Sequence, residues 1–235
     1  MTHRGKIALL IALGAAATAA IGPAASPQNQ DAWGTMSFGV EKGELANRGE
    51  NPYFILEPGY VLVLAAGDER HVITVLDETR TVDGVETRIV EERETKGGRI
   101  VEISRNFYAI SRRTNSIFYF GEEVDIYKDG RIVAHEGAWE SGKAGARFGL
   151  MMPGQVLLKA RYYQEIAPGV AMDRAEVVAL DEPLKTPAGA FKACLKIAES
   201  NPVEGGGKEY KIYAPGIGLV RDGALLLVES GRQNK

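Results

Sequence analysis

Residues 79–90 read TRTVDGVETRIV, and the Asp83-Gly84 pair at their centre decides the architecture. Both inner positions of a two-residue type I′ turn need φ > 0, a requirement that Asp-Gly meets. The segment therefore predicts a tight antiparallel hairpin. Similar punctuation recurs at Gly97-Gly98 in RETKGGRIVEISRNFYAI, at Thr114-Asn115, at Asp129-Gly130, and at Asp222-Gly223 in GLVRDGALLLVE. Turn signals at such spacing mark an all-β sandwich or barrel. No stretch carries a capped helical period, so any helix is short. The expected fold is all-β, an antiparallel meander forming a strongly curved sheet or half-open barrel.

Turn positions also predict register. Around Gly97-Gly98, Lys96 should face Arg99, Thr95 should face Ile100, and Arg93 should face Glu102, a favourable pair. Around Asp129-Gly130, in FYFGEEVDIYKDGRIVAHEGAWESG (118–142), Tyr127 should face Ile132, Val124 should face His135, and Glu123 should face Glu136. Side chains alternate along a strand. One face then holds Val124, Ile126, Val133 and His135, with His135 a hydrogen-bonded residue at the core edge or, less simply, a ligand contact. The other face holds Glu123, Asp125 and Glu136. Opposed like charges destabilise a sheet. A hard cation such as Ca²⁺ would relieve them through carboxylate oxygens, as would solvent or a nearby Arg or Lys. Glu123, Asp125 and Glu136 are thus the candidate metal ligands, with calcium the candidate cofactor.

The amino-terminal residues have the layout of a secretory signal peptide. Arg4 and Lys6 precede an apolar run from Ile7 to Ile21, and Ala24, Ala25 and Ser26 supply small residues for cleavage. The run is shorter than the ~20 apolar residues of a membrane span. The expected organisation is a signal peptide over 1–26, a flexible leader over 27–50, and a single β domain over 51–235. Such a chain would be periplasmic or secreted, with no membrane span in its mature form. The chain of 235 residues has a net charge of −3, which cleavage would take to about −5. An acidic secreted chain offers no electrostatic case for nucleic acid. Cys194 is the one cysteine, so no intramolecular disulfide can form.

The strings NPYFILEPG, FYFGEEVDIYKDGRIVAHEGAWESG, RYYQEIAPGVAMDRAEVVALDE, TPAGAFKACLKIAE and EYKIYAPGIGLVRDG resemble those of a widespread group of uncharacterised secreted bacterial all-β proteins. The resemblance covers most of residues 51–229 and implies export and an all-β domain, with no established activity. Members of that group usually carry an acidic-Trp-Tyr-Ala-Gln string before the FGE motif. Here Asn106 to Ser111 reads NFYAIS, without the acid, the Trp or the Gln.

No catalytic set emerges. His71 and His135 are too few for a His-ligated zinc site, and no G-x-S-x-G elbow occurs. Glu122 and Glu123 are adjacent on a strand and point to opposite faces. Cys194 alternates onto the face of Lys192 and Lys196, which could depress its thiol pKa, though an inert half-buried thiol is the simpler reading. The Gly-rich segment 136–155 interrupts the meander and carries Trp139, Phe148, Leu150, Met151 and Met152. Long loops inside compact domains are commonly functional, and Met-rich surfaces adapt to irregular apolar partners. The segment is expected to fold back onto the sheet, as a plug or as the lining of a ligand cavity. Tyr162 and Tyr163 should point one inward and one outward. The candidate ligand-binding residues are therefore Trp139, Phe148, Met151, Met152, Tyr162, Tyr163 and His135. The expected function is non-catalytic binding of a small apolar or amphipathic molecule in the concave face. The alternative is an envelope structural or protein-interaction module using the charged outer face, ahead of a calcium-binding module or a hydrolase.

Overall fold

The computed structural model describes residues 33–203 and 207–232. The expected signal segment and the first part of the leader lie outside the described residues. The first strands among the described residues are the short β1 (Leu45–Ala46), β2 (Gly49–Asn51) and β3 (Phe54–Leu56). A first meander follows: β4 (Tyr60–Ala66), β5 (Glu69–Val82), β6 (Val85–Lys96), β7 (Arg99–Ser111) and β8 (Ile117–Lys128). Five short strands come next: β9 (Arg131–Ala134), β10 (Trp139–Glu140), β11 (Arg147–Met152), β12 (Arg161–Tyr163) and β13 (Glu165–Ile166). The second meander is β14 (Arg174–Thr186), β15 (Gly189–Ser200), β16 (Glu209–Ala214), β17 (Gly218–Asp222) and β18 (Leu225–Arg232). No α-helix occurs among the described residues.

Turn chemistry produces most of these boundaries. Asp83 and Gly84 take φ of 49° and 76°, and Asp129 and Gly130 take 52° and 75°, as type I′ turns require. Gly97 and Gly98 do the same at 56° and 74°. One turn is displaced from expectation. Asp222 pairs with Leu225, so the loop is Gly223-Ala224, and only the first position needs the positive φ of 53° that Gly223 supplies.

β18 pairs with β4 and joins the two meanders into one antiparallel sheet, ordered β12-β14-β15-β16-β17-β18-β4-β5-β6-β7-β8-β11-β13. It is strongly curved and nearly closed into a barrel. Bulges supply the bending, as between Val75 and Thr79 and at three places along β14 and β15. The two edges of this sheet, β12 and β13, are consecutive in the chain and separated by Gln164 alone. β12 pairs with β14 (Tyr162↔Ala175), whereas β13 pairs with β11 (Phe148↔Glu165). Residues 161–166 therefore stitch one edge to the other where β12 meets residues 174–176 and β13 meets residues 147–148. Gly149 on β11 permits this approach, since a Cβ there would lie 2.1 Å from the Gln164 carbonyl oxygen.

The two faces of the sheet bury different sets of residues. Leu62, Leu64, Val75, Val90, Tyr108 and Ile110 join the interior cluster. Phe107, Ala109, Phe118 and Phe120 point the other way, into a second cluster that also contains Leu45 and Val85. The leader expected to be flexible over 27–50 supplies part of that cover. Phe38 packs on Phe118 with ring centroids 5.9 Å apart, and β1 pairs with the end of β7. Thr35 exchanges backbone hydrogen bonds with Arg161 and Tyr163, each at 3.0 Å. Packed structure is thus present from Trp33 onward among the described residues, ahead of residue 51, because scattered apolar residues in a polar stretch each find a place on the sheet. The 136–155 segment folds back as expected, but as sheet: β10 and β11 pair alongside β8 and send Trp139 and Met152 into the interior core.

Overpacking a tight contact typically costs about 1–3 kcal/mol. Gly149→Ala is expected to destabilise the protein by about that amount in denaturant unfolding. Gly43→Ala, which meets nothing within 4 Å, should change stability by less than about 0.5 kcal/mol.

Candidate functional site

Alternation along the curved strands sends one residue in two into the barrel. Tyr60 and Leu62 of β4, Ile73 and Val75 of β5, and Val90 and Glu92 of β6 line a pocket of about 60 Å³ there. Tyr108, Met151, Lys211, Tyr213, Leu219 and Asp222 complete its walls and floor. Tyr53, Phe54 and Ile55, from the β2–β3 hairpin, cover one end. Asn51, 1% exposed, anchors that hairpin by donating from Nδ2 to the carbonyls of Asn115 at 2.8 Å and Pro153 at 2.9 Å. A buried amide with both donations satisfied is a strong positional constraint.

The pocket floor is charged. His71 Nε2 lies 2.9 Å from Glu92 Oε2 without forming an aligned hydrogen bond, a contact that is an ion pair when the imidazole is protonated. Lys211 Nζ lies 3.0 Å from Glu199 and 3.7 Å from Asp222. Burial pushes the Glu92 carboxyl up, but the contact with and charge of His71, aided by Lys211, hold it below its usual value. Burial pushes His71 down, yet the contact with Glu92 and the charges of Glu92, Glu94 and Asp222 carry it above its usual value. Lys211 is likewise raised well above its normal value: burial opposes its charge, but Glu199 and Asp222 outweigh burial.

Deeper in the barrel the acids are less well matched. Burial, reinforced by the charge of Glu92, pushes Glu122 up from 4.5 to about 8. Burial followed by the charges of Asp173 and Glu122 raises Glu165 well above its usual value. The Tyr119 hydroxyl donates to Asn106 Oδ1 beside them, and Tyr119 stacks on Tyr108 at 4.7 Å. Trp139 Nε1 and Tyr162 Oη are buried and without hydrogen-bond partners among the described residues.

Of the ligand-binding residues expected from sequence, Met151 lines this pocket. Trp139, Met152 and Tyr162 are buried in the interior cluster without lining it. Phe148 stacks on Phe120 at 4.9 Å in the other cluster. Tyr163 does not point outward to solvent: it is 3% exposed and covered by Trp33, with ring centroids 5.9 Å apart. His135 is not at the core edge. It is exposed on the β8–β9 hairpin, with Nδ1 2.8 Å from the Val124 carbonyl and 2.9 Å from Asp125. The pocket residues missed from sequence, chiefly Tyr60, Ile73, Glu92, Tyr108 and Lys211, share only a period-2 alternation with ordinary strand residues.

The expected metal arrangement does not form. A bulge between Ile126 and Tyr127 shifts the hairpin so that Ile126 faces Ala134, and β9 ends there. Glu136 therefore never opposes Glu123, which instead meets Arg80, itself 3.0 Å from Glu140. Among the described residues no group of three His, Cys, Asp or Glu side chains is placed to hold a metal ion. A second bulge, between Glu94 and Thr95, puts Glu94 rather than Arg93 opposite Glu102. Cys194 is also displaced: the positive φ of 52° at Ala193 breaks the alternation and turns the thiol into the interior, fully buried. Burial then pushes the thiol pKa up, which disfavours the reactive thiolate.

Glu122 keeps its proton in the folded chain up to about pH 8, whereas the unfolded chain loses it near 4.5. Its stabilising contribution is complete below pH 4.5 and lost as pH rises through about 8. The raised His71 acts in the same sense, losing its contribution above 6.5, and the lowered Glu92 acts oppositely. Tm is expected to fall between about pH 5 and pH 9, and Glu122→Gln should flatten that slope in calorimetric melts. An identical slope in the variant would contradict the assignment. Comparison with protein-family models, curated proteins and solved structures gives no match for this chain.

Proposed function

We propose that this protein binds a small amphipathic molecule inside its barrel and acts outside the cytoplasm, without catalysing a reaction. One observation carries the binding reading: a single pocket combines apolar walls, from Leu62, Ile73, Val75, Val90 and Leu219, with Glu92, Lys211 and Asp222 at its floor. Binding sites commonly pair apolar walls with a few placed polar groups that set orientation. The pocket is small against the ~300 Å³ of a typical ligand site. It therefore suits a short chain or one end of a longer molecule. Its cap is a separate two-stranded hairpin, held by Asn51 and by a Gly216-to-Pro52 backbone bond of 2.8 Å. A cap held at its ends rather than paired into the sheet is the natural entry point. Export is supported by the basic, apolar and small-residue order of residues 1–26.

The protein-interaction reading retains one favouring observation. Ile132 and Val133, at the tip of the β8–β9 hairpin, are 47% and 57% exposed. The same hairpin contributes Tyr127 and His135 to an outer groove also lined by Arg93, Arg105, Glu123 and Asp125.

Hexanol is a direct probe of the pocket. Burying a six-carbon chain at ~0.8 kcal/mol per methylene gives about 5 kcal/mol before the cost of association, which places the Kd at about a millimolar or weaker. Isothermal titration of the wild-type protein should show that binding. Ile73→Trp should abolish it by filling the pocket while leaving far-UV circular dichroism unchanged. No heat with the wild type, or unaltered heat with a folded variant, would refute the pocket as the site.

A further inference from the structure

Resting on the ligand-binding reading above, we propose that the head group bound in this pocket is an organic cation of the alkylammonium type, held between Glu92 and the surrounding aromatic rings. Tyr53, Phe54, Tyr60, Tyr108 and Tyr213 all line the pocket. Aromatic rings attract ammonium groups through the negative charge of their faces, most strongly where water is excluded. Tyr60 donates its hydroxyl to the Ile217 carbonyl at 2.8 Å. Its ring is therefore what it offers a ligand. Phe54 and Tyr108 fix one another edge-on at 5.1 Å, so their rings are already in position.

The charges favour the same ligand. Lys211 lines the pocket but is committed to Glu199 at 3.0 Å and to Asp222 at 3.7 Å. Glu92 shares His71 as its partner and keeps 27% of its side chain accessible. With Lys211 held by two carboxylates, Glu92 is a carboxylate of the floor that a ligand can reach. A carboxylate head group would meet Glu92 and Asp222 and be repelled. A neutral one would gain neither the ion pair nor the ring attraction.

The test compares hexyltrimethylammonium, hexanol and hexanoate, each titrated calorimetrically into the whole protein. Hexyltrimethylammonium should bind at least about tenfold more tightly than hexanol, and hexanoate should bind more weakly than either. Glu92→Gln should remove most of the preference for the cation while leaving hexanol binding in place, which also reports that the variant is folded. Should Glu92→Gln fail to fold, Phe54→Leu, at the half-buried rim, should lower the cation-to-hexanol affinity ratio about threefold. Equal affinities for cation and hexanol, tighter binding of hexanoate, or an unchanged ratio in the variants overturns the proposal while leaving the pocket as a binding site. Failure of all three compounds to bind defeats the cation assignment and the binding reading together.

Discussion

Gln164 ties the closure of the barrel to the charges inside it. Its backbone sits between the two edges of the sheet, with its N–H donating to the Asp173 carbonyl at 2.8 Å. Its side chain reaches inward and donates to Glu199 Oε1 at 3.1 Å, while Glu199 Oε2 receives Lys211 at 3.0 Å. One carboxylate therefore serves both the seam and the pocket floor. Without the seam, Lys211 would sit on an open sheet in water, where an ion pair is worth little. Within the closed barrel the pairing is obligatory, because an unpaired charge there would be strongly destabilising. Trp33 and Thr35 reinforce the seam from outside, Trp33 by packing on Tyr163 and Arg174, whose guanidinium lies 5.3 Å from the Trp33 ring centroid.

The interior is mostly apolar, and the charges near its pocket are matched. Each charge near the pocket has a partner contributed by a different strand: His71 of β5 meets Glu92 of β6, and Lys211 of β16 meets Glu199 of β15 and Asp222 of β17. These pairs cross the sheet and hold neighbouring strands in register as well as neutralising charge. Burial raises the carboxyl pKa values of Glu122 and Glu165, which favours their neutral form and lets them sit in the barrel without adding charge.

Much of this was legible in the sequence, and what was hidden has a common cause. Asp83-Gly84, Gly97-Gly98 and Asp129-Gly130 announced their hairpins because a positive φ is a local demand that few residues meet. The curved antiparallel sheet followed from their spacing. Bulges were invisible, and each one moves the residues beyond it to the other face. A single shift after Ile126 dissolved the opposition of Glu123 and Glu136, another paired Glu94 with Glu102, and the kink at Ala193 buried Cys194. The pocket escaped for a related reason. Its residues come from eight strands and meet only through closure, which depends on Gly149, Gln164 and a leader whose composition signalled no structure. Met151 was found because its segment was unusual, whereas Lys211 and Glu92 lay in strands of ordinary charge alternation.

Amide hydrogen exchange across residues 161–166 tests closure most directly. If the seam is intact in solution, the amides of Tyr163 and Gln164, bonded to Thr35 and Asp173, will exchange only in the global unfolding event, as slowly as those of β5 to β7. Rapid exchange there, with β5 to β7 still protected, would show an open sheet and contradict the enclosed interior on which the account rests.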